Sequence, residues 1–123
     1  MTSPLQTQPL TEAQGPVLVL GNLVLNLDTY EATIDGWPVE LSYNEFELVG
    51  VLATERNRVL PYELIVQRLW KDSDHGSVRH LHVVVHRLRS KLANLRPYEI
   101  RTVRGRGYGL VQPLGRGLEG RPE

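Results

Sequence analysis

The chain has 123 residues, 41% of them hydrophobic, with no cysteine and a net charge of zero. That is enough for one domain with a single modest core, and it excludes a disulfide framework and thiolate metal sites. The zero is a cancellation: residues 1–78 hold eleven acidic and four basic side chains, a net of −7, whereas residues 79–123 hold three acidic and ten basic, a net of +7. The C-terminal part is therefore suited to an anionic partner.

Residues 1–16 mix Thr, Ser, Gln and Pro with few large apolar groups and read as a disordered arm or linker. Nothing in them has the basic and apolar regions of a signal peptide, and no apolar run along the chain nears the roughly 18 residues of a membrane span, so a cytoplasmic protein is expected. Val17–Leu20 and Leu23–Leu27 are β-rich runs separated by Gly21-Asn22. Tyr30–Ile34 and Trp37–Leu41 follow, joined at Asp35-Gly36, a dipeptide that suits a type I′ hairpin turn. An N-terminal antiparallel sheet of three or four strands is predicted.

At Leu41 the apolar period changes from two to 3.6. Ser42 and Glu45 have the spacing of a capping box, with Leu41 and Phe46 placed as a hydrophobic staple. The helix continues through Phe46, Val49, Leu52 and Ala53 and ends near Glu55-Arg56-Asn57. Pro61 is placed to open a second helix at its first position, and Ile65, Val66, Leu69 and Trp70 form the apolar face. Residues 71–77 are polar and contain Gly76, hence a loop, with Ser77 as N-cap of a third helix.

That third helix is predicted over 78–96. Leu81, Val85, Leu88, Leu92 and Leu95 form its apolar stripe. Arg79, Val83, His86, Arg87, Ser90 and Asn94 lie opposite, with His82 and Arg89 on the flanks and no acidic residue among them. Such a face fits a DNA major groove, and it equally fits a solvated charged surface. Beyond Pro97, Tyr98–Arg104 and Tyr108–Val111 are predicted as strands joined by Gly105-Arg106-Gly107, and the Gly- and Pro-rich segment 113–123 as a disordered tail. The fold class is α+β: an N-terminal antiparallel sheet, three helices and a C-terminal β-hairpin, the arrangement of a winged helix-turn-helix.

Arg87-Leu88-Arg89-Ser90-Lys91-Leu92 and Ile100-Arg101-Thr102-Val103-Arg104-Gly105-Arg106-Gly107-Tyr108 resemble the R-L-R-x-K-L and I-R-T-V-R-G-x-G-Y motifs of OmpR/PhoB-family response-regulator effector domains. Asp35-Gly36, Leu41-Ser42-x-x-Glu45 and Trp70 also match family positions, and the resemblance covers residues 17–112. It implies DNA binding in transcription regulation within a two-component system, with the third helix in the major groove and the hairpin wing at the minor groove. By position, Arg87 and Arg89 match the basic residues of the recognition helix, Arg79 a phosphate-holding residue, and Arg104 the wing arginine, with Arg106 at the wing tip. His82, Val83, His86 and Ser90 complete the candidate DNA-binding set. The resemblance also implies a homodimer on direct repeats, and places Asp72 and Asp74 in a loop that can touch RNA polymerase. The sequence departs from the pattern where His82 replaces an acidic residue, Val84 replaces a His, and Pro61-Tyr62 replaces Ser-Arg, so the target sequence is not inherited.

His82 and His86 have metal-ligand spacing, but no H-E-x-x-H glutamate accompanies them, and no metal site is expected. Gly105-x-Gly107-x-Gly109 precedes no helix and is not a nucleotide loop. No P-loop, catalytic triad or paired acid/base site is present, so neither an enzyme nor a cofactor is expected. The competing reading is a winged helix that serves as a protein-interaction module, with DNA binding incidental. No receiver domain fits in the 16 residues before the sheet; an excised domain and a stand-alone regulator both remain open.

Overall fold

The computed structural model describes residues 16–70 and 77–113. Residues 1–15 of the expected N-terminal arm, residues 71–76 of the loop that holds Asp72 and Asp74, and most of the C-terminal tail lie outside the described residues. The strands β1 (Val17–Leu20), β2 (Leu23–Asn26), β3 (Glu31–Ile34) and β4 (Trp37–Val39) pair in sequence order as one antiparallel sheet, and along β2 and β3 buried side chains alternate with more exposed ones. The alternation turns Leu23, Leu25, Ala32 and Ile34 into the core. Asp35 (φ 54°) and Gly36 (φ 83°) join β3 to β4 with Ile34 opposite Trp37, as a type I′ turn requires. Pro16, assigned from sequence to the arm, continues this sheet by accepting the Leu27 amide at 3.1 Å.

Helix α1 (Tyr43–Thr54) starts with the expected capping box. Ser42 Oγ accepts the Glu45 amide at 3.2 Å, and Glu45 Oε1 accepts the Ser42 amide at 2.8 Å. Phe46, Leu48, Val49, Leu52 and Ala53 fill the core beneath it. Tyr30 links the sheet to this helix: its ring stacks on Phe46 at 4.7 Å and its hydroxyl donates to Glu47 Oε2 at 2.9 Å.

The next element corrects the sequence reading. Val59–Pro61 form a strand, β5, and Pro61 (φ −60°, ψ 147°) is the extended cap before α2 (Tyr62–Leu69), not its first helical residue. Three residues are too few to show a period, so only the tertiary partner reveals the strand. That partner is the wing. β6 (Glu99–Val103) and β7 (Gly107–Val111) form the predicted hairpin, and β5 adds to it in the order β5-β7-β6. Pro61 is tolerated because β5 is an edge strand. Gly107 sits where a Cβ would lie 1.7 Å from the Leu60 carbonyl oxygen, so its lack of a side chain serves this close strand contact and not the turn. The turn itself is Arg104-Gly105-Arg106, with the Arg106 amide donating to the Val103 carbonyl at 2.9 Å.

Helix α3 (Val78–Lys91) is capped by Ser77, whose hydroxyl accepts the His80 amide at 3.0 Å. Leu81, Val84, Val85, Leu88 and Leu92 are buried. The helix ends at Lys91, not Arg96. The apolar period continues to Leu95, but Asn22 in the β1–β2 turn takes hold of the chain there. Its side chain donates to the Asn94 carbonyl at 2.9 Å and accepts the Arg96 amide at 2.8 Å, while its own amide donates to the Arg96 carbonyl at 3.0 Å. α1 packs against both α2 and α3 and against β7, so the three helices share one core with the wing sheet.

Glu45 is the one charged side chain of the core among the described residues, 3% exposed. Lys91, at the far end of α3, donates to its Oε1 at 2.7 Å. Burial alone would push this carboxyl up; the hydrogen bonds from Lys91 and the Ser42 amide, with the lysine charge, outweigh it and hold the carboxyl below its ordinary value. A depressed folded-state pKa contributes stability that is complete above the ordinary carboxyl range and is lost as pH falls through the folded value. Lys91→Ala is expected to lower stability at neutral pH by about 1–2 kcal/mol, the lower range for a charged hydrogen bond because Lys91 is partly exposed. Urea unfolding at neutral and acid pH tests this, and the deficit should shrink as Glu45 protonates. Asn22→Ala, which removes the side-chain bonds to Asn94 and Arg96, is expected to cost about 1–3 kcal/mol and to speed amide exchange at Arg96.

Candidate nucleic-acid interface

Burying Leu81, Val84, Val85 and Leu88 turns Arg79, Val83, His86, Arg87 and Ser90 outward, and all five are exposed. Val83 is 42% exposed, an aliphatic side chain set among polar ones on the open face of α3. Asn94, expected on the same face, lies past the helix end and is tied to Asn22. The first turn of α3 holds no acidic residue, while Arg79 stands there beside the positive end of the helix dipole. That arrangement disfavours the isolated helix slightly, and it concentrates positive potential at one end of the exposed face.

The two flanking residues turn toward the wing. Arg89 donates through Nε and Nη2 to the Ile100 carbonyl at 3.2 and 2.8 Å, and through Nη2 to Thr102 Oγ1 at 2.6 Å. Its guanidinium also lies 5.9 Å from the centre of the Tyr108 ring. Of the two arginines matched to the basic positions of the recognition helix, Arg87 is turned outward with none of these contacts, whereas Arg89 binds β6. His82 Nδ1 is hydrogen-bonded to the Tyr108 hydroxyl, and Tyr62 stands edge-on to both rings, at 5.2 Å from His82 and 5.3 Å from Tyr108.

Tyr62 also fixes the turn that carries Arg104 and Arg106. Its amide donates to the Arg106 carbonyl at 3.2 Å and its hydroxyl to the Val103 carbonyl at 3.3 Å. Sequence reasoning missed Tyr62 and Tyr108 as organisers of the site. The available signal was the Pro61-Tyr62 departure from Ser-Arg, whose consequence needs the strand β5 to be seen. Both wing arginines are exposed.

Four other basic side chains are paired: Arg58 with Glu55, Lys91 with Glu45, Arg96 with Asp35 and Arg101 with Glu99. Among the described residues Arg79, Arg87, Arg104 and Arg106 have no carboxylate within salt-bridge distance. Arg56, Arg68 and Arg89 likewise have none among the described residues, but Arg56 and Arg68 stand apart from α3 and the wing and Arg89 is bonded to β6, so the open helix face and the wing turn together carry four exposed guanidinium groups without an acidic partner there. His80 stacks on Trp70 at 4.7 Å and belongs to the α2–α3 packing. His82 and His86 are joined by no third potential metal ligand among the described residues. Asp72 and Asp74, the candidate polymerase contacts, lie outside those residues, and no described helix is long and apolar enough to cross a membrane.

Three helices with the third exposed and basic, followed by a hairpin locked against it, define the class as a winged helix-turn-helix. Residues 36–110 match the family model described as the C-terminal part of transcriptional regulatory proteins. The chain belongs to that family, as an effector domain of the OmpR/PhoB response-regulator type. It is 40% identical over 98 residues to the response regulator PmrA of Pseudomonas aeruginosa, an alignment covering 80% of this chain and 43% of PmrA. It is 36% identical over 104 residues to the alkaline phosphatase synthesis transcriptional regulatory protein PhoP of Bacillus subtilis, covering 83% of this chain and 43% of PhoP. The chain thus spans less than half the length of these curated relatives. Among solved structures, the Klebsiella pneumoniae RstA DNA-binding domain in complex with the RstA box superposes with a TM-score of 0.70 at 27% identity, over 80% of this chain and all of that one.

Arg89→Ala is expected to destabilise the domain by about 1–2 kcal/mol and to raise amide exchange along β6 and β7, since it frees the wing from α3. Arg89→Lys restores little, because an ammonium cannot reproduce the planar fork that reaches Ile100 and Thr102 together.

Proposed function

We propose that this domain binds double-stranded DNA sequence-specifically in transcription regulation, with α3 in the major groove and the β6–β7 turn at the neighbouring minor groove. The observation that carries the reading is the set of exposed guanidinium groups on one helix face and its wing that have no acidic partner among the described residues. A basic group without an internal partner is free to displace counterions from phosphate or to meet a base edge. Arg87 is assigned to base readout, where a bidentate pair with guanine is the commonest specific contact, and Val83 to a thymine methyl. His86 and Ser90 flank them on the same face. Arg79, beside the α3 N-terminus, is assigned to phosphate. Arg104 and Arg106 enter a narrow, negative minor groove. Arg89 contributes by holding the wing at its angle to the helix. The RstA domain, in complex with its RstA box, supports this use of the fold.

Two copies per site, on a direct repeat, complete the proposal, as does a polymerase contact through Asp72 and Asp74. The chemistry is binding alone, without catalysis or a cofactor. The competing protein-interaction reading is separated from it by salt. Affinity for a duplex selected from a random pool should fall steeply with salt, log K decreasing by about 0.9 per phosphate contact for each unit of log salt. Arg79→Ala should weaken binding uniformly across sequences and reduce the salt slope by about 1. Arg87→Ala should instead erase about 1–3 kcal/mol of discrimination at one position. If no duplex is retained from the pool at low salt, the DNA-binding reading fails.

A further inference from the structure

The contact between His82 and the wing has a consequence for readout, which rests on the DNA-binding reading above. Tyr108 is 4% exposed, and its hydroxyl meets His82 Nδ1 with no other hydrogen-bond partner among the described residues. A neutral imidazole offers one donor and one acceptor nitrogen. If Nδ1 carried the proton, the Tyr108 hydroxyl would accept it and its own proton would be left buried without an acceptor, a costly arrangement. The hydroxyl therefore donates to Nδ1, and the imidazole proton resides on Nε2. The Tyr108 hydroxyl is well suited to donate: burial, with Tyr62 beside it and only partial opposition from Arg89, pushes its pKa up, so it keeps its proton.

The ring is also held in place. Tyr62 stands at 89° to it and Tyr108 at 73°, so it is bounded by two aromatic edges as well as tethered at one nitrogen. His82 itself is exposed on the flank of α3. Its one remaining polar atom is Nε2–H, a donor with no acceptor among the described residues.

We propose that His82 is a specificity-determining residue whose Nε2–H donates to a DNA acceptor, and that Tyr108 is the positioning residue that fixes its tautomer and orientation. The partner is an acceptor atom on the major-groove edge: a purine N7, guanine O6 or thymine O4. A base amino group, which can only donate, is disfavoured there. The wing thus takes part in major-groove readout through a side chain that never leaves the protein core.

The test uses a duplex selected from a random pool, with 7-deazapurine or methylphosphonate substituted one position at a time. With wild-type protein, one substitution is expected to weaken binding roughly tenfold, the scale of one lost specific contact, and His82→Ala should bind the natural and substituted duplexes equally. Coupling to a 7-deazapurine assigns the acceptor to N7; coupling to a methylphosphonate instead would make His82 a backbone contact and overturn its role in specificity. Tyr108→Phe, which removes only the hydroxyl, should reduce that coupling while leaving the Arg87-dependent preference intact. Long-range proton–nitrogen NMR of the free domain reads the tautomer independently, and the Nε2–H form is expected. The inference is overturned by an Nδ1–H tautomer, by a Tyr108→Phe variant with undiminished coupling, or by His82→Ala retaining the full substitution profile. A failure to select any duplex would overturn the DNA-binding reading itself.

Discussion

One buried carboxylate fixes the geometry on which everything else rests. Glu45 Oε1 accepts from the Ser42 amide and from Lys91 Nζ at once, so the first turn of α1 and the last turn of α3 are joined at a single atom. A carboxylate in that environment is costly unless its lone pairs are filled. Both partners must therefore be in place together, which fixes the register of one helix against the other. Helix packing alone tolerates small slides, because its apolar contacts are not directional. The directional bond at Glu45 selects one of them, and the exposed face of α3 inherits that choice.

The remaining freedom of α3 is removed from two other directions. Asn22 grips the chain just past the helix with three hydrogen bonds, so the N-terminal sheet sets where the helix stops. Arg89 and His82 reach from its flanks to the wing, and Tyr62 holds the wing turn from the opposite side. A recognition surface made of two elements is useful only if the angle between them is held closely. Here the angle is set by polar contacts at Ile100, Thr102, Val103 and Tyr108, with Tyr108 serving both flanks. The four-stranded sheet, far along the chain from the wing, matters to the site because it terminates the helix at the right residue.

Elements whose cause is local were readable in the residues. Ser42 and Glu45 announce the capping box three residues apart, Asp35-Gly36 announces its turn, and the 3.6 period of Leu81, Val85 and Leu88 orients α3. What escaped has a distant cause. β5 is a strand only because β7 lies beside it, and Pro61 would otherwise be read as the start of a helix. Leu92 and Leu95 prolong the apolar period past the true helix end, because periodicity does not register a hydrogen-bond donor some seventy residues earlier in the chain. The family resemblance placed the arginines on the correct elements, but it carried no information on His82 and Tyr62, where this chain departs from the pattern.

The same limit applies to charge. Residues 79–123 carry seven more basic than acidic groups, and the excess alone marks the region as cationic without saying which members are available. Lys91 is consumed by the core, Arg96 by Asp35, Arg101 by Glu99, and Arg89 by carbonyl and hydroxyl oxygens of the wing strand. Arg87 and Arg89 are two residues apart, about 200° around the helix, so one turns to solvent while the other turns to β6. In a run such as Arg-Leu-Arg-Ser-Lys-Leu, structural and recognition roles alternate at side-chain spacing. The charge that anchors the wing is therefore neighbour to the charge it presents, and neutralising the run wholesale would confuse loss of architecture with loss of contact.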